Sequence, residues 1–119
     1  MNSEFKELNS FEDRLKECNK ILTKYNDKIP IILERYKSTN LKNIDKKKYL
    51  LPKDITVGQF LFIIRKKIEL SSEKAIYLFN ENNLLSSNTI ISDVYSNYKD
   101  DDNFLYLFYD SENTFGYKH

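Results

Sequence analysis

A single cysteine, a single histidine, two glycines and two prolines among 119 residues leave little from which to build catalytic or phosphate-gripping chemistry. Cys18 has no second cysteine to join, so an internal disulfide is excluded. His119 is the last residue, which argues against a rigid Cys/His dyad or a Ser-His-Asp triad. Cys18 and His119 together are two short of a zinc finger's four ligands. With only Gly58 and Gly116, neither a Walker loop nor a dinucleotide-binding fingerprint can be written. The expectation is a protein that is not an enzyme, with no metal and no cofactor of its own. No apolar run reaches transmembrane length and no secretory leader is visible, so a soluble protein in a reducing, cytoplasmic setting is expected.

What is present suits one small domain. Hydrophobic residues make up 40% of the chain and aromatic residues 14%, enough for one core. The 19 basic and 18 acidic side chains nearly cancel, unlike the balance of a dedicated nucleic-acid binder, and no nucleic-acid partner is expected. Their distribution is uneven: residues 1–74 carry 17 basic and 11 acidic groups, residues 75–119 carry 2 and 7.

Periodicity sets out the elements. Residues 10–25 read as a helix capped by Ser10, with a stripe of Phe11, Leu15, Cys18, Leu22 and Tyr25. Residues 2–9 allow one short helical turn with Phe5 and Leu8 inward. The β-branched run Ile29-Pro30-Ile31-Ile32-Leu33 predicts a strand whose proline-bearing start lies at a sheet edge or end. Tyr49-Leu50-Leu51 predicts a short strand stopped by Pro52. Thr56-Val57-Gly58-Gln59 is a capping box opening a helix over 56–68, with Phe60, Leu61, Ile63, Ile64 and Ile68 on its apolar face. Ala75–Phe79 reads as a strand, Asn80–Asn83 as a turn, and Ile90, Ile91, Val94 and Tyr95 as a short helix begun by Asn88 or Thr89. Asp100-Asp101-Asp102 is expected to be a solvated turn rather than a metal site, since consecutive carboxylates do not converge on one ion. Phe104–Tyr109 has no polar alternation, so a strand there must be covered on both faces, by the 56–68 helix on one and the 10–25 helix on the other. That order is an α+β fold, a β-grasp with a helical addition at its N-terminus.

Several stretches then carry a specific resemblance: Ile44-Asp45-Lys46-Lys47-Lys48-Tyr49-Leu50, Thr56-Val57-Gly58-Gln59-Phe60, Ile64-Arg65-Lys66, Glu73-Lys74-Ala75-Ile76 and Glu112-Asn113-Thr114-Phe115-Gly116. From about Phe11 to Gly116 the chain resembles the autophagy-related ubiquitin-like modifier family, which holds the GABA-receptor-associated proteins and the light chain 3 of microtubule-associated proteins. It departs at Asn26, where proline is usual, at Lys28 and Lys67, where arginine is common, and at Leu85-Ser86-Ser87. Lysine lacks arginine's two-pronged grip on a carboxylate.

The resemblance implies a ubiquitin-like β-grasp over 1–116 with two additional N-terminal helices within about 1–26. It implies a modifier processed after Gly116 by a cysteine protease, which removes Tyr117, Lys118 and His119. Activating and conjugating enzymes then pass Gly116 to the amine of phosphatidylethanolamine, taking the protein from cytoplasm to autophagosomal membrane. A glycine suits this position on physical grounds, since a residue without Cβ enters a narrow cleft and offers an unhindered carbonyl at the end of a polar tail, Asp110 to Thr114.

A second role falls on the Tyr49-Leu50-Leu51 strand: at a sheet edge it could pair with an extended peptide of a cargo receptor or adaptor. Lys46 and Lys48 would favour acidic residues beside the peptide's aromatic anchor. By resemblance, Glu17, Ile21, Pro30, Ile32, Lys48, Leu50 and Phe104 line an aromatic pocket, while Tyr49, Leu51, Pro52, Ile55, Phe60 and Ile63 line an aliphatic one, with Lys28 and Lys67 available to carboxylates. Ile32, Phe60, Ile63 and Phe104 would equally serve as core in almost any fold. The alternative to a conjugated modifier is a noncovalent ubiquitin-like module, such as a cytoskeletal or trafficking adaptor. Cys18 is expected to be a small core residue and the Ala75–Phe79 region a core strand, where the resemblance implies a second partner surface.

Overall fold

A computed structural model describes residues 2–111. Its elements are α1 (Glu4–Leu8), α2 (Phe11–Lys24), β1 (Lys28–Arg35), β2 (Lys48–Pro52), α3 (Val57–Lys67), β3 (Tyr77–Asn80), β4 (Asn83–Leu84), α4 (Ile91–Tyr98) and β5 (Leu105–Asp110). The five strands form one mixed sheet in the order β2-β1-β5-β3-β4, with β1 parallel to β5 and the other neighbours antiparallel.

β5 lies in the middle of this sheet and all six of its residues are buried. Its odd-numbered side chains, Leu105, Leu107 and Tyr109, join Val57, Phe60, Ile64 and Ile68 of the α3 side in the larger core cluster. Phe104, Tyr106 and Phe108 turn to the other face and pack with Phe5, Cys18 and Ile32, against Ile21 and Leu22 of α2. The uninterrupted apolar run therefore marks a strand with a cover on each face, as its lack of alternation requires.

Local chemistry accounts for the helix starts. Ser10 Oγ accepts the Asp13 amide at 3.1 Å to open α2. At α3, Thr56 Oγ1 accepts the Gln59 amide at 3.1 Å while Gln59 Oε1 accepts the Thr56 amide at 2.8 Å, which completes the capping box. Gly58 suits a close approach: its amide donates to Ser87 O at 2.9 Å, and a Cβ there would stand 3.2 Å from that oxygen.

Several expectations are corrected. Leu8 is 74% exposed; only Phe5 of α1 turns inward. Phe11 and Tyr25, at the ends of the α2 stripe, are exposed, whereas Arg14 is buried because a carboxylate meets it under the helix. β1 lies inside the sheet, yet Pro30 faces only β2, because pairing with β5 begins at Ile31. β3 starts at Tyr77, the first residue with a partner on β5, and Ala75 stays outside it. Both ends of the expected Asn80–Asn83 turn are strand residues: the two-residue strand β4 folds back on β3 through Glu81, whose φ is 51°. α4 begins at Ile91 with no side-chain cap, and neither Asn88 nor Thr89 opens it. Its first amides donate instead to backbone carbonyls, Ile91 to Ile55 and Ser92 to Lys53. Asp110 belongs to β5, opposite Tyr77, and is not part of the tail.

The acidic run is the largest correction. Asp102 is fully buried, while its neighbour Asp101 is exposed. Asp102 accepts Arg14 Nη1 at 2.7 Å and the Tyr106 hydroxyl at 2.5 Å on Oδ2, and the Phe104 amide at 2.8 Å on Oδ1. It locks α2 to the start of β5. Among the described residues no group of three or more potential ligands is gathered for a metal ion.

Candidate edge-strand docking site

Among the described residues β2 is one edge of the sheet, with β4 the other, and the phase of β2 follows from a single residue. Pro30 pairs with Leu50, and proline has no amide hydrogen, so this must be a pair that exchanges no hydrogen bonds. The flanking pairs, Ile29 with Leu51 and Ile31 with Tyr49, are then the bonded ones. Lys47 keeps the same phase, its carbonyl accepting the Leu33 amide at 2.7 Å. The backbone groups of Lys48 and Leu50 consequently point away from β1, where no described strand pairs with them. Pro52 follows with a carbonyl and no donor, so a guest strand finds two complete residues to pair with before the ladder ends.

Side chains alternate across this edge, with Lys48, Leu50 and Pro52 exposed and Tyr49 and Leu51 buried. On the α2 face, Lys48 and Leu50 stand opposite Ile32 and Pro30, and Lys48 Nζ pairs with Glu17 of α2. Leu50, at 36% exposure, and half-buried Ile21 are open to a guest. Pro30, Ile32 and Phe104 form the covered floor below them. On the α3 face, Tyr49, Leu51 and Phe60 are floor residues in the core, the Tyr49 and Phe60 rings meeting edge to face at 5.4 Å. Ile55 and Ile63 are half-buried and Pro52 is exposed. Of the predicted docking residues, six are therefore covered and the rest reach the surface, including the cations Lys28, Lys46 and Lys67.

Charge around the edge is partly spoken for. Lys46 Nζ lies 5.0 Å from the centre of the Tyr49 ring, and Lys28 Nζ is 3.6 Å from Asp27. Burial pushes the Tyr49 phenol up to about 12, so it stays a neutral donor, and its hydroxyl has no partner among the described residues. Two contacts were not legible in the sequence: Glu4 of α1 pairs with Lys47, and the Phe5 ring lies under Lys48 Nζ at 5.2 Å. A five-residue helix carries no local signal of where it will dock. Gly116, Tyr117, Lys118 and His119 lie outside the described residues.

Comparison with known proteins places this geometry. The family profile described as "Autophagy protein Atg8 ubiquitin like" matches residues 13–116. The chain is 49% identical over 116 residues to Autophagy-related protein 8 of Cochliobolus heterostrophus, covering 98% of each. The crystal structure of Trypanosoma brucei ATG8 superposes with a TM-score of 0.88 at 35% identity, over 92% of this chain and 95% of that one. Plasmodium falciparum Atg8, solved in complex with a Plasmodium falciparum Atg3 peptide, gives 0.83 at 40% identity, over 94% and 98%. Profile, sequence and fold agree along almost the whole length, and the chain belongs to the Atg8 family of ubiquitin-like modifiers of autophagy.

Proposed function

We propose that this chain is conjugated through Gly116 to phosphatidylethanolamine and, once on the autophagosomal membrane, recruits cargo receptors and adaptors by docking their short motifs on β2. The observation that carries the reading is the β2 edge, where Lys48 and Leu50 present backbone groups that no described strand pairs with, flanked by half-buried Ile21 on the α2 side and half-buried Ile55 and Ile63 on the α3 side. A guest strand there lays alternate side chains against these two flanks, and an aliphatic side chain buried on one contributes about 1.5–3 kcal/mol. That a Plasmodium relative was solved with an Atg3 peptide supports a peptide partner for this chain as well.

For conjugation, the support is that the family match runs to residue 116. In the intact chain the Gly116 carbonyl is held in the peptide bond to Tyr117, so a protease must free it first. After activation, the ethanolamine nitrogen attacks the Gly116 thioester carbonyl on the conjugating enzyme; the C–N bond forms, the C–S bond breaks, and the thiol leaves. The test is in-cell lipidation of the wild type beside Gly116→Ala. We expect the wild type to lose Tyr117-Lys118-His119 by mass spectrometry and to yield a membrane-bound, detergent-soluble form, and the variant to yield none. Lipidated product from the variant, or a wild-type chain that keeps all three residues, would overturn the assignment.

A further inference from the structure

Two of the three lysines beside the candidate docking edge, Lys47 and Lys48, are already held by contacts in which α1 takes part. Lys47 Nζ pairs with Glu4 of α1. Lys48 Nζ pairs with Glu17 of α2 and lies over the Phe5 ring of α1. In the docking reading Lys48 is a position on which the acidic flank of an incoming peptide closes, and Lys47 stands between it and Lys46, the other such position.

The grip of α1 itself is slight. At five residues it is too short to be stable alone, and it stays in place through tertiary contacts. The Phe5 ring packs edge to face on Phe104 at 5.6 Å, and Lys6 pairs with Asp100. The Phe5 amide donates to Glu34 Oε2 at 2.9 Å. Glu34 is 6% exposed, yet its other oxygen, Oε1, is buried without a hydrogen-bond partner among the described residues. The docked arrangement thus leaves a buried acceptor unanswered, which weakens it.

The geometry points to α1 as a built-in competitor for the docking edge: Glu4 and Phe5 hold Lys47 and Lys48, and a peptide whose acidic flank takes these lysines loosens α1. This rests on the docking reading above. The coupling is reciprocal: the factor by which docked α1 weakens such a peptide is the factor by which the peptide weakens α1. A peptide with a neutral flank leaves the Glu4–Lys47 pair intact and is not selected against. The device therefore narrows the advantage of acidic motifs over neutral ones until α1 is displaced.

The experiment is calorimetric titration of the full chain and of Glu4→Gln with two synthetic peptides. They share an aromatic anchor and an aliphatic residue three positions on; one is preceded by three aspartates, the other by Ser-Gly-Ser. Glu4 is exposed on its helix, so the substitution leaves the fold intact. We expect Glu4→Gln to bind the acidic peptide about two- to fivefold more tightly, the range of an exposed ion pair, and the neutral peptide unchanged. In the wild type, hydrogen exchange at the Phe5 amide should quicken on saturation with the acidic peptide and not with the neutral one. Unchanged or weaker acidic-peptide binding to Glu4→Gln, or unmoved Phe5 exchange, would overturn the competitor while leaving the docking site standing. Failure of both peptides to bind the wild type would instead remove the docking reading.

Discussion

At the scale of single residues, the Arg14–Asp102 pair matters most to how the N-terminal addition is held. Asp102 is fully buried and Arg14 nearly so, and the carboxylate is also bonded by the Tyr106 hydroxyl and the Phe104 amide. Removing one member of such a pair strands the other away from water. Arg14→Met should therefore cost about 3–5 kcal/mol in chemical denaturation, far more than an exposed pair such as Lys42–Glu69. Cys18 supplies a local reporter of the same event. Burial, with smaller contributions from the Asp102 and Glu17 charges, pushes its thiol up to about 12, so the native protein holds it as an unreactive neutral group. The wild type should resist a thiol reagent at pH 8, and Arg14→Met should label measurably faster as α2 lifts from the sheet. Equal labelling rates in the two proteins would mean that Asp102 does not hold α2 down.

At the scale of elements, the phase of β2 makes a sharper prediction than its position alone. The Leu50 amide points outward, so a proline at that position removes no bond to β1, whereas the Tyr49 amide belongs to the β1 ladder. Leu50→Pro should fold with a small loss of stability and lose peptide affinity by about tenfold or more relative to Leu50→Ala, which lacks only the side chain. Tyr49→Pro should disrupt the sheet. A Leu50→Pro variant that binds like Leu50→Ala would show that guests do not pair with this edge. The elements that the sequence reveals are those whose causes are local. The Thr56–Gln59 capping box marks α3, and the unbroken apolar run marks β5 as a strand covered twice. Pro30, in the sequence a mark of a strand start and by resemblance a pocket residue, also sets the phase of the β2 edge once its partner is known. What stayed hidden is set by distant partners. α4 takes its starting bonds from Lys53 and Ile55, β4 exists only against Phe79 and Asn80, and Asp102 turns inward because Arg14 waits there. The candidate site followed the same division: its residue types and the core character of Ile32, Phe60 and Phe104 were legible, while the covering of Pro30, Tyr49 and Leu51 and the hold of α1 on Lys47 were not.

At the scale of the whole molecule, a sheet covered on both faces encloses ionisable groups on both, and this gives the protein a vulnerable side at alkaline pH. On the α3 side, burial pushes the Tyr49 and Tyr109 phenols up to about 12, and Tyr95, beside the start of β5, likewise. On the α2 side, burial and the bond to Asp102 push Tyr106 higher still, and Cys18 stands at about 12. In an unfolded chain the thiol ionises near 8.5 and the phenols near 10. Between those values and about 12 the unfolded chain therefore holds fewer protons than the folded one, and stability falls as pH rises. Below about pH 8 both states keep these protons and the groups contribute no pH dependence. Tyr109 alone, fully buried and with its phenol pushed up to about 12, accounts for a loss of roughly 2 kcal/mol by pH 12. Tyr49, Tyr95, Tyr106 and Cys18 act in the same direction. The thermal midpoint should accordingly be flat near pH 7–8 and drop steeply above about pH 9.5. In a spectrophotometric titration, these four of the nine tyrosines should ionise only together with loss of the far-ultraviolet circular dichroism signal. Nine phenols titrating smoothly near pH 10 with the dichroism unchanged would mean that the two covers do not seal the sheet, and with them the packing that holds β2 in phase would be in doubt.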